Sequence, residues 1–434
     1  MRQIRQLTDE AQFLDYARIC VNAYPGEKAE AETMAKRFRE TAENNPTVSQ
    51  WGVYEDATMI GGMFLLDLEM NYFGRFVPAG GVGMVAVDQL QRKRGAAKDI
   101  VHFFLDRCVE RGQSVALLYP FRPDFYHRMG FGHGAKMDQY SFTPASVPAS
   151  PSTGGLTYLG PDDLDRLEAC YARAAARQHG YCRRSRWQMS RLAKRVGEAR
   201  TLVGYTAGGE LRGYLAFDYR KGSERNFLKN DLVIREWVWD GPETLMALCS
   251  FLNSLADQVN RVVYATQQRD FHYLLKDARN GTDNLFPFVT HETNLSGVGL
   301  MYRVVSFDGM VQAMAERDFN GVTAAVDLEL TDTFRPANAG SHRLVFEGGR
   351  LRAGANGSAK GAATKAPSTN AATPKGGGAI PMSIDVADLS SLLMGAVDVA
   401  TLHRFGRIGV PAASVGLLTK LFTTTETPEC LTSF

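Results

Sequence analysis

Between residues 82 and 98 the chain reads Val82-Gly83-Met84-Val85-Ala86-Val87-Asp88-Gln89-Leu90-Gln91-Arg92-Lys93-Arg94-Gly95-Ala96-Ala97-Lys98. An apolar, β-type run ends in a row of cations and a glycine, followed by small helix-forming residues. A helix that starts at Gly95 turns its first N–H groups and the positive end of its dipole towards the preceding turn. Gly95 lets an anion approach the backbone, and Arg92, Lys93 and Arg94 add charge, so the expected ligand is a pyrophosphate. Read without its neighbours, the same stretch is a solvated charge run before an ordinary helix. It lacks both Gly-x-x-x-x-Gly-Lys-Ser/Thr and Gly-x-Gly-x-x-Gly, which excludes a Walker loop and a Rossmann turn.

A second group with chemical capacity is Phe125-Tyr126-His127-Arg128-Met129-Gly130-Phe131-Gly132. His127 and His133 flank it, each either a base at neutral pH or a surface or structural histidine. The cysteines at 20, 108, 170, 182, 249 and 430 form no Cys-x-x-Cys pair and no zinc spacing with histidine. No metal site and no disulfide framework is expected, and Cys108 and Cys430 are assigned to packing. The chain ends Cys430-Leu431-Thr432-Ser433-Phe434, on an apolar residue for which a solvated tail has no use.

These groups need elements to hold them. Apolar spacing predicts helices over 9–23 and 27–43, with Thr8 or Asp9 capping the first, then an antiparallel meander over 51–54, 59–70 and 76–87. A helix over 95–111, a strand over 114–119, a short helix over 122–129 and a last strand opening at 130–132 complete a mixed sheet. The cationic turn then lies between a strand and its crossover helix. After the turn-rich residues 151–155 the order recurs. Helices over 162–177 and 185–196 precede a hairpin over 202–220 that turns at Gly208-Gly209. A strand over 232–239, a helix over 242–258, a strand over 261–266 and a short helix over 270–275 follow.

In this second copy Asp240 and Glu243 stand where a pyrophosphate wants cations. Arg173, Arg177, Arg183, Arg184, Arg186, Arg191, Lys194 and Arg195 accumulate between Glu168 and Glu198, as a solvated helix face, a subunit contact or an anion-binding face. Trp237 and Trp239 share one strand face. From Gly299, strands over 300–306, 323–330, 342–347 and 350–353 precede helices over 386–394, 400–405 and 412–422, a smaller α+β domain. It is interrupted by 354–379, which holds only Gly, Ala, Ser, Thr, Asn, Lys, Pro and no acid or aromatic residue, and reads as a disordered loop.

Length allows several domains, since 434 residues exceed one core. Hydrophobic residues at 44% and charged residues at 22% exclude wholesale disorder and fibrous repeats. Forty-nine Lys and Arg against 47 Asp and Glu leave +2, too balanced for a partner that is nucleic acid or an anionic membrane. The amino terminus is charged from Arg2, and no apolar run approaches the ~18 residues of a membrane span. The expectation is a soluble, cytoplasmic protein in a reducing compartment.

Arg92-x-x-Gly95-x-Ala97 after an apolar strand resembles the acetyl-coenzyme-A motif of the GNAT superfamily of N-acetyltransferases, and Phe125-Tyr126-x-x-x-Gly130-Phe131 is similar to a segment near the end of that fold. From about residue 1 to 434 the chain resembles more closely the Eis (enhanced intracellular survival) acetyltransferases. The resemblance implies an α+β protein with mixed α/β sheets: a catalytic GNAT domain at 1–150, a second, degenerate GNAT-like domain at 151–298, and a sterol-carrier-protein-like domain at 299–434.

It further implies acetyl-CoA as cosubstrate and no metal. Val85, Ala86 and Val87 would pair their backbone with the pantetheine arm. Lys93, Arg94, Gly95, Ala96, Ala97 and Lys98 would cradle the pyrophosphate, and Phe121 and Arg122 would line the coenzyme where the next strand diverges. A bulge near Met84 or Val85 would leave an N–H for the thioester oxygen. Tyr126 would be the general acid, and the terminal carboxylate of Phe434 the general base, for direct acetyl transfer to an aminoglycoside or lysine-like amine. Ser433 departs from the acidic residue that some members carry there. The resemblance also implies a homohexamer. Two rival functions use the same residues: a coenzyme-A-binding lipid-carrier or protein-interaction module without turnover, and an acetyltransferase for a single protein lysine.

Overall fold

The structure, a computed structural model, describes residues 2–27, 29–149, 154–194, 200–352 and 378–432. Phe434 and all but the last two residues of 354–379 lie outside the described residues. The chain forms two compact units, one of residues 2–134 and 300–428, the other of 135–299 and 429–432.

The first unit is built on a seven-stranded sheet, in the order Arg2–Gln6, Val48–Glu55, Thr58–Tyr72, Arg75–Val87, Val115–Leu118, Met301–Val304, Gly132–His133. In Thr58–Tyr72 the period of two is plain, since Leu66, Leu68, Met70 and Tyr72 are buried while Asp67 and Glu69 are exposed. Helix Glu10–Ala23 starts at Asp9, whose carboxylate accepts from the Gln12 N–H while the Gln12 side chain returns to the Asp9 N–H. With helix Ala31–Asn44 it packs on Phe64 and Ala86. Helix Ala96–Glu110 buries Ile100, Val101, Phe104, Leu105 and Cys108 against Leu65, Val82 and Leu118. Phe64 and Leu65 point to opposite faces of their strand, so the sheet is clad on both sides.

Three features of this sheet depart from the sequence reading. Arg2–Gln6 is an edge strand paired with Val48–Glu55, and its four polar residues carry no apolar alternation. The strand expected to open at 130–132 is only Gly132–His133. Met301–Val304, read as part of the third domain, pairs with Val115–Leu118 and with Gly132–His133 inside the first sheet. All four of its residues are buried, and such a strand needs cover on both faces. Met301 packs in the cluster that holds Phe104 and Leu105, and helix Val386–Leu393, buried at every position, lies against the strand, with Ser390 Oγ accepting from the Val304 N–H at 2.9 Å.

The same unit holds a five-stranded sheet ordered Arg350–Leu351, Gly340–Glu347, Ala324–Thr331, Ile380–Asp385, Ile408–Gly409. Ile380–Asp385 and helix Phe307–Ala313 were not expected from sequence. Arg303 and Asp332, both without solvent exposure, form a two-pronged ion pair at 2.9 Å within this unit.

The second unit carries a seven-stranded sheet ordered Asn294–Gly297, Met137–Phe142, Val259–Thr266, Asn230–Trp239, Glu210–Lys221, Arg200–Ala207, Leu156–Tyr158. The hairpin turns at Gly208 and Gly209, with φ of 59° and 81°, the left-handed pair that a tight two-residue turn requires. The chain enters this unit at Ala135, ahead of the turn-rich residues 151–155, because Met137–Phe142 pairs with Val259–Thr266. No helix among the described residues is long and apolar enough to cross a membrane.

Candidate active site

The site in the first unit begins with two parallel strands that part. Arg75–Val87 and Val115–Leu118 pair only at Ala79/Val115, Gly80/Ala116 and Gly81/Leu117. Beyond Gly81 the strand continues to Val87 with no strand partner on that side among the described residues. On its other side the register with Thr58–Tyr72 jumps from Gly83/Phe64 to Ala86/Gly62, so Met84 and Val85 together oppose Met63. This is a β-bulge, and Met84 sits in it at a left-handed φ of 49°. Two tyrosine hydroxyls hold the bulge: Tyr16 donates to the Met84 carbonyl, and Tyr24 to the Val85 carbonyl at 2.7 Å. Val85 and Val87 are half-buried and Ala86 is buried.

The strand then runs through Asp88, whose carboxylate accepts from the Leu90 N–H at 2.8 Å, into the cationic turn. Lys93 at φ 63° and Gly95 at φ 91° both take left-handed backbone, so the chain turns sharply just ahead of the helix head, while Arg92 before them is extended. Gly95 caps helix Ala96–Glu110, and its carbonyl takes the first helical bonds, from Lys98 at 2.9 Å and Asp99 at 3.1 Å. The amides of Ala96 and Ala97 precede those bonds and head the helix. A Cβ at Gly95 would meet only Arg2 Nη1 at 3.5 Å, so glycine is needed there for its dihedral, not for space.

Arg92, Lys93 and Arg94 are exposed. Arg94 is tied to Glu55 at 3.1 Å, and its carbonyl accepts from Arg2 at 2.6 Å, while Arg2 also pairs with Asp99 at 2.7 Å. The edge strand thus buttresses the loop. Lys98 differs from its neighbours: its amide is committed to Gly95, and its ammonium lies 5.8 Å from the Phe334 ring centre.

Across the gap, Phe121 is 73% exposed and meets Tyr24 edge-on at 6.4 Å. Arg122 is exposed and pairs with Asp124 at 2.7 Å. Helix Pro123–His127 carries Tyr126, which is buried between Phe125 and Phe131 at ring distances of 5.2 and 6.0 Å. Burial pushes the Tyr126 phenol up to about 12. Burial, with smaller contributions from Cys20 and Tyr126, raises Tyr24 as well, which places the two phenols within electrostatic reach.

His127 and His133 lie 5.9 Å apart, and burial lowers His133. His127 faces a cleft of about 550 Å³ lined also by Asp332, Phe334, Asp385, Asp388 and Arg407, which neither Tyr126 nor Val85 lines. The structure therefore brings Val85, Ala86, Val87, the 93–98 turn, Phe121 and Tyr126 to one splayed end of the sheet, and turns His127 elsewhere. Sequence reasoning missed Tyr16, Tyr24 and Arg2. Tyr16, Cys20 and Tyr24 recur every fourth residue, one helix stripe, and that was the available signal.

The second unit differs at the matching place. Asn230–Trp239 and Val259–Thr266 pair in parallel up to Ile234/Tyr264. Past that point the buried Trp237 packs on Tyr264 at 5.5 Å and on Phe271 at 6.0 Å. Gly241 before helix Pro242–Ser254 is extended at φ 173°, and Glu243 in the first turn accepts from Tyr205 at 2.7 Å. The cations noted between Glu168 and Glu198 do not act as one face: Arg184 is buried against Glu236, and Arg186 pairs with Asp165 and Glu168.

Comparison with known proteins agrees with this geometry. Residues 3–134 and 180–304 each match a family described as an acetyltransferase (GNAT) domain, and residues 310–431 match a sterol carrier protein domain. The chain belongs to the GNAT superfamily and is an acyltransferase with two GNAT domains followed by a sterol-carrier-like domain. A Streptomyces coelicolor protein named as an uncharacterized N-acetyltransferase is 27% identical over 404 residues, 89% of each chain. Among solved structures, a GCN5-related N-acetyltransferase from Anabaena variabilis has a TM-score of 0.79 at 18% identity, and Eis1 from Mycobacterium abscessus 0.74 at 20%, each covering 100% of both chains.

Proposed function

We propose that this chain is an acetyl-CoA-dependent N-acetyltransferase that acetylates primary amines of the aminoglycoside or lysine-like kind, with its active site in the first GNAT domain. The observation that carries the reading is the parting of the strands after Gly81/Leu117 beside the left-handed Gly95 turn, with Tyr126 on the adjoining helix. The residues present fit the cosubstrate: the edge at 82–87, which has no strand partner among the described residues, suits an amide-bearing arm, and the turn at 93–97 suits a diphosphate.

When bound, acetyl-CoA supplies an acetyl group activated as a thioester. Val85, Ala86 and Val87 orient the pantetheine arm through their main chain. Gly95, Ala96 and Ala97 offer amides to the pyrophosphate, with Lys93 and Arg94 adding charge, and Phe121 and Arg122 flank the arm. Lys98 contributes as a nearby charge, because its amide and ammonium are engaged elsewhere. The bulge at Met84 and Val85, pinned by Tyr16 and Tyr24, presents an N–H to the carbonyl oxygen as charge develops there.

Tyr126 stays protonated at neutral pH and gives its proton to the departing sulfur. A phenol near 12 is a weak donor to a thiolate of ordinary basicity, near ~8.5. The same dry surroundings that raise the phenol also raise the thiolate, which narrows the mismatch. The Phe434 carboxylate takes the proton of the acceptor ammonium, directly or through water.

The second GNAT domain is assigned no coenzyme, since Trp237, Tyr264 and Phe271 pack where its strands part. Phe286, Phe288 and Val289, exposed near one hairpin, are residues that a subunit contact in a homohexamer would cover. Light scattering checks the assembly. Thiol release from acetyl-CoA across a panel of aminoglycosides, polyamines and lysine peptides tests the activity. Turnover on small amines supports the reading, and coenzyme binding without turnover on any of them overturns it.

A further inference from the structure

Within the second unit, residues 179–184 and 429–432 lie against each other, and hydrogen bonds tie the two segments at both ends. The Glu429 N–H donates to the His179 carbonyl at 3.0 Å. Arg184 donates through Nη2 to the Leu431 carbonyl and through Nε to Thr432 Oγ1 at 3.4 Å. Between these anchors stand Cys182 on one segment and Cys430 on the other, and their thiols share a hydrogen bond. The backbone of each is held as well: Tyr171 donates to the Cys182 carbonyl at 2.8 Å, and the Cys430 N–H donates to Gln267 Oε1 at 2.6 Å. Cys182 is 0% exposed and Cys430 4%, and both are free thiols. A disulfide forms only where two backbones already bring the sulfurs together, and here they do.

We propose that Cys182 and Cys430 are a reversible modification site, where an oxidant of the peroxide class makes an intrachain disulfide that clamps residues 429–432 to residues 179–184. While the segments are closed both thiols are shielded. Contact with Cys430 and burial also raise the Cys182 thiol, so reaction begins when the short 429–432 segment lifts. The Cys430 sulfur then attacks the peroxide, the O–O bond breaks, and a sulfenic acid and one water form. On reclosure the Cys182 thiolate, which the Arg184 guanidinium favours, attacks the sulfenyl sulfur. The S–O bond breaks, the S–S bond forms, and a second water leaves. Two thiols have lost two electrons and two protons, and the peroxide has gained them. A dithiol reverses the bond by exchange.

The test is peptide mapping of the full chain after treatment with hydrogen peroxide. Remaining thiols are blocked with iodoacetamide, and the chain is cut with trypsin without reductant. The expected product joins residues 178–183 to residues 421–434, comes from a chain that still runs as a monomer, and is parted by dithiothreitol. Oxidation should also slow hydrogen exchange at 430–432 about tenfold, because the crosslink persists when the hydrogen bonds open. Cys430→Ser should give no joined peptide and the same exchange before and after peroxide. If Cys430→Ser does not fold, Cys182→Ala gives the same reading. A covalent dimer as the main product overturns the pairing, as does a link from either cysteine to Cys170 or Cys249 in equal amount. Conversion of Cys430 to a sulfinic acid with no link overturns it too. So do free thiols at 182 and 430 once peroxide has turned exposed methionines into sulfoxides.

Discussion

The Tyr24 hydroxyl donates a 2.7 Å hydrogen bond to the carbonyl of Val85, joining the end of the first helix to the bulge in the central strand. Tyr24→Phe removes the donor and lets the bulge relax. The expected result is a fall in kcat/KM for acetyl-CoA of about tenfold, equivalent to ~1.4 kcal/mol and the usual size of one hydrogen bond. Thermal unfolding should barely move. An unchanged kcat/KM shows that the bulge holds its shape without Tyr24.

Gly95 at φ 91° is strained by any side chain, by ~1 kcal/mol for alanine. Gly95→Ala should therefore weaken coenzyme A binding about fivefold. Gly95→Glu adds a negative charge at the head of the helix and should weaken it a further tenfold or so, since that carboxylate repels the pyrophosphate and competes with it for the positive end of the helix dipole. Calorimetric titration with coenzyme A decides. Undiminished affinity in Gly95→Glu contradicts the placement of the pyrophosphate there.

In the proposed mechanism Tyr126 acts in its protonated form, and its raised value near 12 means that the proton is retained through the neutral and mildly alkaline range. The rate should thus show no alkaline decline from this group below about pH 11. Tyr126→Phe should lower kcat about a hundredfold and leave the KM for acetyl-CoA nearly unchanged. A decline near pH 9 that disappears in Tyr126→Phe means that the phenol works as a lower-pKa group than its burial dictates.

Glu429 is buried beside Tyr181, Tyr264 and Gln268, and burial pushes its carboxyl up to about 7. The folded state holds this proton more tightly than the unfolded chain, whose glutamate titrates near 4.3. The associated stability is present below about pH 4 and is lost as pH rises towards 7, amounting to roughly 3 kcal/mol. Glu429→Gln should raise the melting temperature at pH 8 and leave it nearly unaltered at pH 4.5. Equal shifts at both pH values contradict a neutral, buried Glu429.

The left-handed turn at Lys93 and Gly95 was legible because its requirements are local. A strand period of two, a glycine where the backbone must turn left-handed, and a helix head are all written within residues 82–98. The Gly208-Gly209 hairpin was legible for the same reason. Arg2–Gln6 was not, because a polar edge strand has no apolar stripe to show. Helix Phe307–Ala313 and strand Ile380–Asp385 were missed beside a low-complexity stretch and an apolar run that suit more than one element.

From sequence alone came the chemistry that neighbours in the chain can build: the strand, the cationic turn, the helix that follows, and Tyr126 on its short helix. Only the tertiary structure decided which distant groups complete it. Tyr24 meets Val85 across 61 residues, Met301–Val304 enters the first sheet beside Val115–Leu118, and Arg184 grips Leu431 across 247. Such partners are chosen by burial and hydrogen-bond satisfaction summed over the whole chain, and no local pattern encodes that sum.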